Sequence, residues 1–166
     1  MKTYFISGGT GSFGKEFVKT LLQNHRPKKL IIYSRDELKQ FEMEKILHED
    51  CMRYFIGDVR DRDALKKAID GIDIIVHDAA EVGVGQSMYS INQYISTNVG
   101  GTGILWDILV NEKHKVEKVV IASSMSNYGE GRFFCPNHEK ISPKKEDPII
   151  GASCPFSRPM DTCQQE

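Results

Sequence analysis

A run of seven residues, Gly8-Gly9-Thr10-Gly11-Ser12-Phe13-Gly14, stands between two patterned segments near the start of the chain. Before it, Thr3-Tyr4-Phe5-Ile6-Ser7 is β-branched and aromatic. After it, Phe13, Phe17, Val18, Leu21 and Leu22 recur at helical spacing. Glycine at 8, 11 and 14 lets a chain turn tightly, lets backbone N–H groups approach ligand oxygens, and lets a helix pack close to a strand. The start of the helix adds a partial positive charge at the same place. A glycine triplet alone says little, because turns use glycine anyway. Strand, turn and helix together predict a cradle for the pyrophosphate of a dinucleotide, lined by Gly8, Thr10, Gly11, Ser12, Phe13 and Gly14.

Strand and helix patterns go on alternating. Strands are predicted at 3–7, 29–33, 52–57, 72–77 and 116–122, and helices at 12–24, 36–49, 61–70 and about 88–112. Such alternation implies right-handed crossovers and an α/β fold, a doubly wound parallel sheet of Rossmann type with strand order 3-2-1-4-5. The fourth and fifth strands read as covered on both faces. Asp61 is placed to cap the third helix and Gly71 to end it. Gly100, Gly101 and Gly103 inside the last helix predict a kink or close helix packing.

Composition bounds the partners. Lys and Arg number 22 against 23 Asp and Glu, a net charge of −1. That balance offers no electrostatic case for nucleic acid or an anionic membrane. No apolar run approaches the length of a membrane span. The first residues enter a strand directly, so no signal peptide is expected and the predicted location is cytoplasmic. Four cysteines fit a reducing compartment, with Cys51 expected as a small buried hydrophobe. Residues 129–166 hold five of the six prolines and three of the four cysteines. They read as a loop-like tail following a dinucleotide-binding domain at 1–128.

The strand ends carry the remaining candidates. The residue ending the second strand ordinarily meets the adenosine ribose, where an acid favours NAD and a nearby arginine favours the 2′-phosphate of NADP. Here Ser34 takes that place, Arg35 follows, and Lys39 lies one turn on. The pattern favours NADP, yet Asp36 can also serve ribose, so NAD stays open. Equally, Ser34 or Asp36 can act as the cap of the next helix. Asp58 and Val59, after the third strand, are placed to meet adenine. His77-Asp78-Ala79-Ala80 ends the fourth strand. Its small Ala79 and Ala80 permit close approach of a cofactor, whereas His77 reads equally as a core or a functional histidine. Serines after the fifth strand can bond a sugar oxygen at a reacting carbon, or simply form a turn.

These motifs resemble the extended short-chain dehydrogenase/reductases, in the branch of nucleotide-sugar epimerases and dehydratases. Gly8, Gly11 and Gly14, then Asp58-Val59, His77 through Ala80, Thr97-Asn98-Val99-Gly100-Gly101-Thr102 and Ser123-Ser124 through Tyr128-Gly129 match the family's motifs in order. Residues 1–80 look closest to UDP-N-acetylglucosamine 4,6-dehydratases of polysaccharide biosynthesis, and 81–131 to epimerases. The resemblance implies that Asn98 joins the cofactor-binding set and that a nucleotide sugar is the substrate. It implies that Ser124 assists at the sugar hydroxyl and that a homodimer surface lies near 88–112. Dehydratases of this kind place an acid/base pair after the serine. Met125-Ser126 stands there, which favours epimerisation or simple oxidation.

The family's catalytic tyrosine is followed four residues later by lysine. Here Tyr94 leads to Asn98 and Tyr128 to Arg132. The chain therefore resembles the N-terminal part of such an enzyme, and it is expected not to turn over substrate alone. A non-catalytic dinucleotide-binding module is the rival reading. In the tail, Cys135, His138, Cys154 and Cys163 suggest a zinc knuckle, but Ser157 breaks the cleanest ligand set. No metal site is assigned.

Overall fold

The computed structural model describes residues 1–124 and, beyond them, the backbone of three short strands at 133–135, 138–141 and 164–165. The chain divides into two compact units, Met1–Ala122 and Ser123–Glu166.

In the first unit, β1 (Thr3–Ser7), β2 (Lys29–Ser34), β3 (Met52–Ile56), β4 (Ile74–His77) and β5 (Lys118–Ile121) form one sheet. All its pairings are parallel and its order is β3-β2-β1-β4-β5, as the alternation predicts. The helices are α1 (Ser12–His25), α2 (Glu37–Ile46), α3 (Arg62–Ile69), α4 (Val84–Ser87), α5 (Ile91–Tyr94) and α6 (Thr102–Asn111), with a π-helical segment at Ile95–Gly101. Successive strand residues point to opposite faces, and each face has its own helices. Phe5, Ile31, Tyr33 and Ile75 pack with Leu65, Ala68 and Ile69 of α3 and Leu105 and Ile108 of α6. Ile6, Leu30, Ile32 and Val76 pack with Val18 and Leu21 of α1 and Met43 of α2. This two-sided core makes the sheet doubly wound.

Local chemistry sets the helix ends. Asp36 caps α2 by accepting from Lys39 N–H at 3.0 Å, and Asp61 caps α3 by accepting from Ala64 N–H at 3.0 Å. Gly71 follows α3 at φ +69°, the left-handed turn that glycine takes without strain. Asp36, rather than Ser34, is thus the α2 cap. That helix stops at Ile46, where Leu47 N–H closes back on Met43 C=O at 2.8 Å.

Three expectations change. The fifth strand is shorter than predicted and is covered less: Val120 is 48% and Ile121 39% exposed, because β5 has only β4 beside it in this sheet. Cys51 is half-buried at the rim of the core instead of inside it. The predicted helix at 88–112 starts later and is interrupted. It runs from Ile91 through the π segment into α6, and its Ile91, Ile95 and Val99 remain more than half exposed. Of its glycines, Gly101 answers to packing. A Cβ there would lie 2.6 Å from Val59 Cγ2, while Gly103 has open space around it. Among the described residues no helix is long and apolar enough to cross a membrane.

The second unit carries an antiparallel sheet of β6 (Phe133–Cys135), β7 (His138–Ile141) and β8 (Gln164–Gln165), in the order β7-β6-β8.

The two glycines should respond oppositely to alanine. Gly103→Ala should raise stability by about 0.5–1 kcal/mol through helix propensity. Gly101→Ala should lower it by about 1–3 kcal/mol through overpacking against Val59. Urea unfolding of both variants decides this, and equal shifts would contradict it.

Candidate functional site

Between β1 and β4 the strand order reverses, and their carboxyl ends open a crevice of the kind in which doubly wound sheets bind ligands. The glycine turn sits at its mouth. Gly8 has φ +73°, and its N–H donates to Tyr33 C=O at 2.9 Å. A Cβ on Gly8 would lie 2.8 Å from the Ala79 nitrogen and from Asp78 backbone atoms, so the turn and the β4 loop meet backbone to backbone. A Cβ on Gly14 would lie 2.6 Å from the Gly9 backbone, which holds α1 tight against the turn. Thr10 is buried; Gly11, Ser12 and Phe13 are exposed. Helix α1 has no side-chain cap and no acid in its first turn. Its first N–H groups and the positive end of its dipole are therefore left for an anion.

Behind the crevice runs a chain of hydrogen bonds. Ala79 N–H donates to Ser7 Oγ at 3.3 Å, and Ser7 Oγ lies 2.8 Å from His77 Nδ1. His77 Nε2 lies 3.0 Å from Thr102 Oγ1, whose hydroxyl donates to Asn98 C=O at 2.7 Å. Because Thr102 spends its proton on Asn98, it accepts from His77. The network thereby assigns the Nε2–H tautomer, with Ser7 donating to Nδ1. Burial pushes the His77 pKa below its ordinary value, which keeps the ring neutral and suits this arrangement. His77 is thus a structural histidine that fixes the Ala79 turn to the helix carrying Asn98. Asn98 continues the connection: its Oδ1 accepts from Glu81 N–H at 2.8 Å and its Nδ2 donates to Glu81 C=O at 3.0 Å. The Asn98 amide therefore grips the loop beside the crevice, a role that motif matching does not reveal. Ala79 is half-buried and Ala80 exposed on that loop.

The ends of β2 and β3 form the other wall. Gln40, buried on α2, donates from Nε2 to Ser34 C=O (3.0 Å), Ser34 Oγ (3.2 Å) and Phe55 C=O (2.7 Å). It ties the two strand ends together. The Tyr33 hydroxyl donates to Asp58 C=O at 2.9 Å, and burial pushes its pKa up to about 12. Tyr33 therefore holds the glycine turn with its backbone and the Asp58 loop with its ring. Tyr33 and Gln40 bound the segment 33–40 that resembles the 4,6-dehydratases, but nothing local to either residue marks it as an anchor between strand ends. The Asp58 carboxylate accepts from Arg60 Nε at 3.0 Å and Nη2 at 2.6 Å. That contact, with Arg35 nearby, holds Asp58 below its usual range. The Val59 side chain is buried in the core. Arg35 Nη2 donates to Glu81 Oε1, and Lys39 Nζ lies 3.1 Å from Asp36 Oδ2.

The structure brings Gly8 through Gly14, Ser34, Arg35, Asp58, Ala79 and Asn98 onto one linked framework. Ser124 is described but belongs to the second unit, shortly after Ala122, whose N–H donates to His77 C=O at 3.0 Å. Met125, Ser126, Tyr128 and Arg132 lie outside the described residues, as do Cys154, Ser157 and Cys163. Cys135 and His138 are described only as strand backbone.

Comparison with known proteins places this framework among others. The family described as polysaccharide biosynthesis protein matches residues 4–126. The UDP-N-acetylglucosamine 4,6-dehydratase (inverting) of Campylobacter jejuni is 53% identical over 100 residues, which are 60% of this chain and 30% of that protein. The UDP-glucose 4-epimerase of Rickettsia rickettsii is 35% identical over 126 residues, covering 74% of this chain and 36% of that one. The chain thus spans about a third of the length of these curated relatives. Among solved structures, Pen from Bacillus thuringiensis superposes with a TM-score of 0.71 at 34% identity, over 77% of this chain and 39% of its own. A DesIV double mutant from Streptomyces venezuelae, a dTDP-glucose 4,6-dehydratase solved with NAD and DAU bound, gives 0.66 at 29% identity, over 76% of this chain and 40% of its own.

The neutral His77 makes stability depend on pH. Its folded pKa is depressed, so below the ordinary value of 6.5 the unfolded chain takes up a proton that the folded chain resists. Stability falls as pH drops through that range. The urea midpoint should decline from about pH 7.5 to about pH 5.5. His77→Gln should lower the midpoint at neutral pH and flatten that decline. An equal decline in both proteins would place the titration elsewhere.

Proposed function

We propose, since this chain belongs to the polysaccharide biosynthesis protein family, that its first compact unit binds a nicotinamide dinucleotide as the cofactor-holding part of a nucleotide-sugar dehydratase or epimerase. The observation that carries the reading is the uncapped α1 N-terminus set behind a glycine turn that touches the Ala79 backbone. A pyrophosphate needs N–H donors, positive potential and no side chains in its way; this turn supplies all three. Gly8, Thr10, Gly11, Ser12, Phe13 and Gly14 would hold the pyrophosphate. Ser34, Arg35 and Lys39 would border the adenosine ribose, with Asp58 beside the adenine and Val59, whose side chain is buried in the core, meeting it only through its backbone. Ala79 and Ala80 would leave room for the cofactor along β4, on the loop that Asn98 steadies. DesIV, the dTDP-glucose 4,6-dehydratase, and the UDP-glucose 4-epimerase of Bifidobacterium longum were both solved with this class of cofactor bound.

When bound, the nicotinamide supplies a hydride acceptor for a sugar carbon. The role of the chain's residues is to orient that ring, and Ser124 would bond the sugar hydroxyl. A second reading, binding without turnover, is favoured by one sequence fact: none of the six tyrosines is followed four residues later by lysine. The two readings share the cradle and part over chemistry.

Ser12→Asp separates cofactor binding from folding. An acid in the first turn of α1 stabilises the helix dipole by about 0.3–1 kcal/mol, yet sets a negative charge against a pyrophosphate. Calorimetric titration with NAD should show saturable one-to-one binding to the natural chain. The variant should bind at least about tenfold more weakly at unchanged or higher stability. Equal binding by both would remove the cradle from the turn. Sustained turnover of a UDP-sugar by the purified chain would remove the second reading.

A further inference from the structure

Residues 123–166 hold three cysteines and one histidine: Cys135, His138, Cys154 and Cys163. Spacing alone assigns no metal to them, because Ser157 stands where a second Cys-x-x-Cys pair would close. The backbone of the second unit adds what spacing cannot. Strands β6 and β7 run antiparallel, and Phe133 pairs with Ile141. A regular ladder continued from that pair would set Cys135 against Glu139. Instead the register shifts between Phe133 and Cys135, and Cys135 stands opposite His138. Bulges of this kind commonly re-aim a residue beside a site. Directly opposite residues of an antiparallel pair share one face of the sheet, with Cα atoms about 4.5–5.5 Å apart. A single zinc ion bridges such a gap, at about 2.3 Å from a thiolate sulfur and about 2.0–2.1 Å from an imidazole nitrogen.

The third strand enters from the same end. Phe134 pairs with Gln164 and Phe133 with Gln165, so β8 begins beside the end of β6 that carries Cys135. The residue before Gln164 in the sequence is Cys163. Cys154 and Cys163 themselves lie outside the described residues and enter by sequence alone. Three thiolates and one imidazole are a complete tetrahedral set for structural zinc, and that set has no need of position 157.

The strands of this unit also have little else to hold them. They are three, four and two residues long. Beyond Phe133, Phe134 and Cys135 they offer only Ile141 as an apolar residue. Ladders this short, with so little to bury, call for a staple, either a metal or disulfides. Thiolates with an imidazole in a tetrahedral set suit zinc.

We propose that the second unit is built around a structural zinc ion, bound by Cys135 and His138 where β6 passes into β7 and completed by two further thiolates of the same chain. The ion ties the β6–β7 pair to the start of β8. This proposal is independent of the dinucleotide cradle.

The test uses the full chain, purified under reducing conditions without chelator, with zinc counted by atomic emission. The natural chain should carry about one zinc ion. Cobalt(II) exchanged for zinc should give the intense visible bands of a tetrahedral site and a sulfur-to-metal charge-transfer band. Cys135→Ser, His138→Ala, Cys154→Ser and Cys163→Ser should each lower retained zinc by about tenfold or more. Cys51→Ser, a change in the first unit, should retain it in full. Far-ultraviolet circular dichroism, dominated by the helices of the first unit, should stay unchanged throughout, which separates loss of metal from loss of fold. A reduced natural chain with neither zinc nor the cobalt bands overturns the proposal. Zinc kept in full by any of the four variants also overturns it, as an adventitious ion only. So does a natural chain whose thiols are paired in a disulfide instead of free to bind metal.

Discussion

A neutral imidazole buried between two strands and a helix holds this site together. His77 is 3% exposed. On one side it meets Ser7, at the end of β1; on the other it meets Thr102, where the π segment gives way to α6. Each partner passes the bond on, to Ala79 in one direction and to Asn98 and then Glu81 in the other. A buried polar network of this kind is costly when half satisfied and specific when complete. Here the His77 links are complete, and they fix the one loop that must lie close to the glycine turn.

The opposite wall is built by different means. Tyr33 and Gln40 use backbone carbonyls as anchors, joining β2 to the glycine turn, to the Asp58 loop and to β3. Across the mouth the charges cancel in pairs. The α1 N-terminus, by contrast, carries neither a side-chain cap nor an acid in its first turn. This contrast makes the α1 N-terminus the place where the pyrophosphate is proposed to sit.

Much of this was legible in the sequence. Alternating strands and helices specified the sheet order, because parallel neighbours need crossovers and crossovers have one hand. Asp61, Gly71 and the Gly8–Gly14 run are local signals, and each stands where local chemistry puts it. What stayed hidden was non-local. Arg35 and Glu81 are 46 positions apart, and Asn98 and Glu81 are 17 apart. No spacing rule announces such pairs, so the contacts that Arg35 and Asn98 make with Glu81 were not visible in the sequence. The exposure of β5 was hidden for a similar reason: Val119-Val120-Ile121 has the composition of a covered strand, but burial depends on what lies beside it. The π segment escaped because its residues keep helical spacing, and the close approach of its Gly101 to Val59 involves a residue 42 positions away.

The most direct measurement is a titration of isotope-labelled chain with NAD, following backbone amide resonances. The account predicts saturable shifts at residues 8–14, 34–36, 57–60 and 78–81, with the His77 ring staying neutral throughout. Saturable binding that leaves the 8–14 amides unmoved would contradict it, because the dinucleotide would then be held somewhere other than the glycine turn.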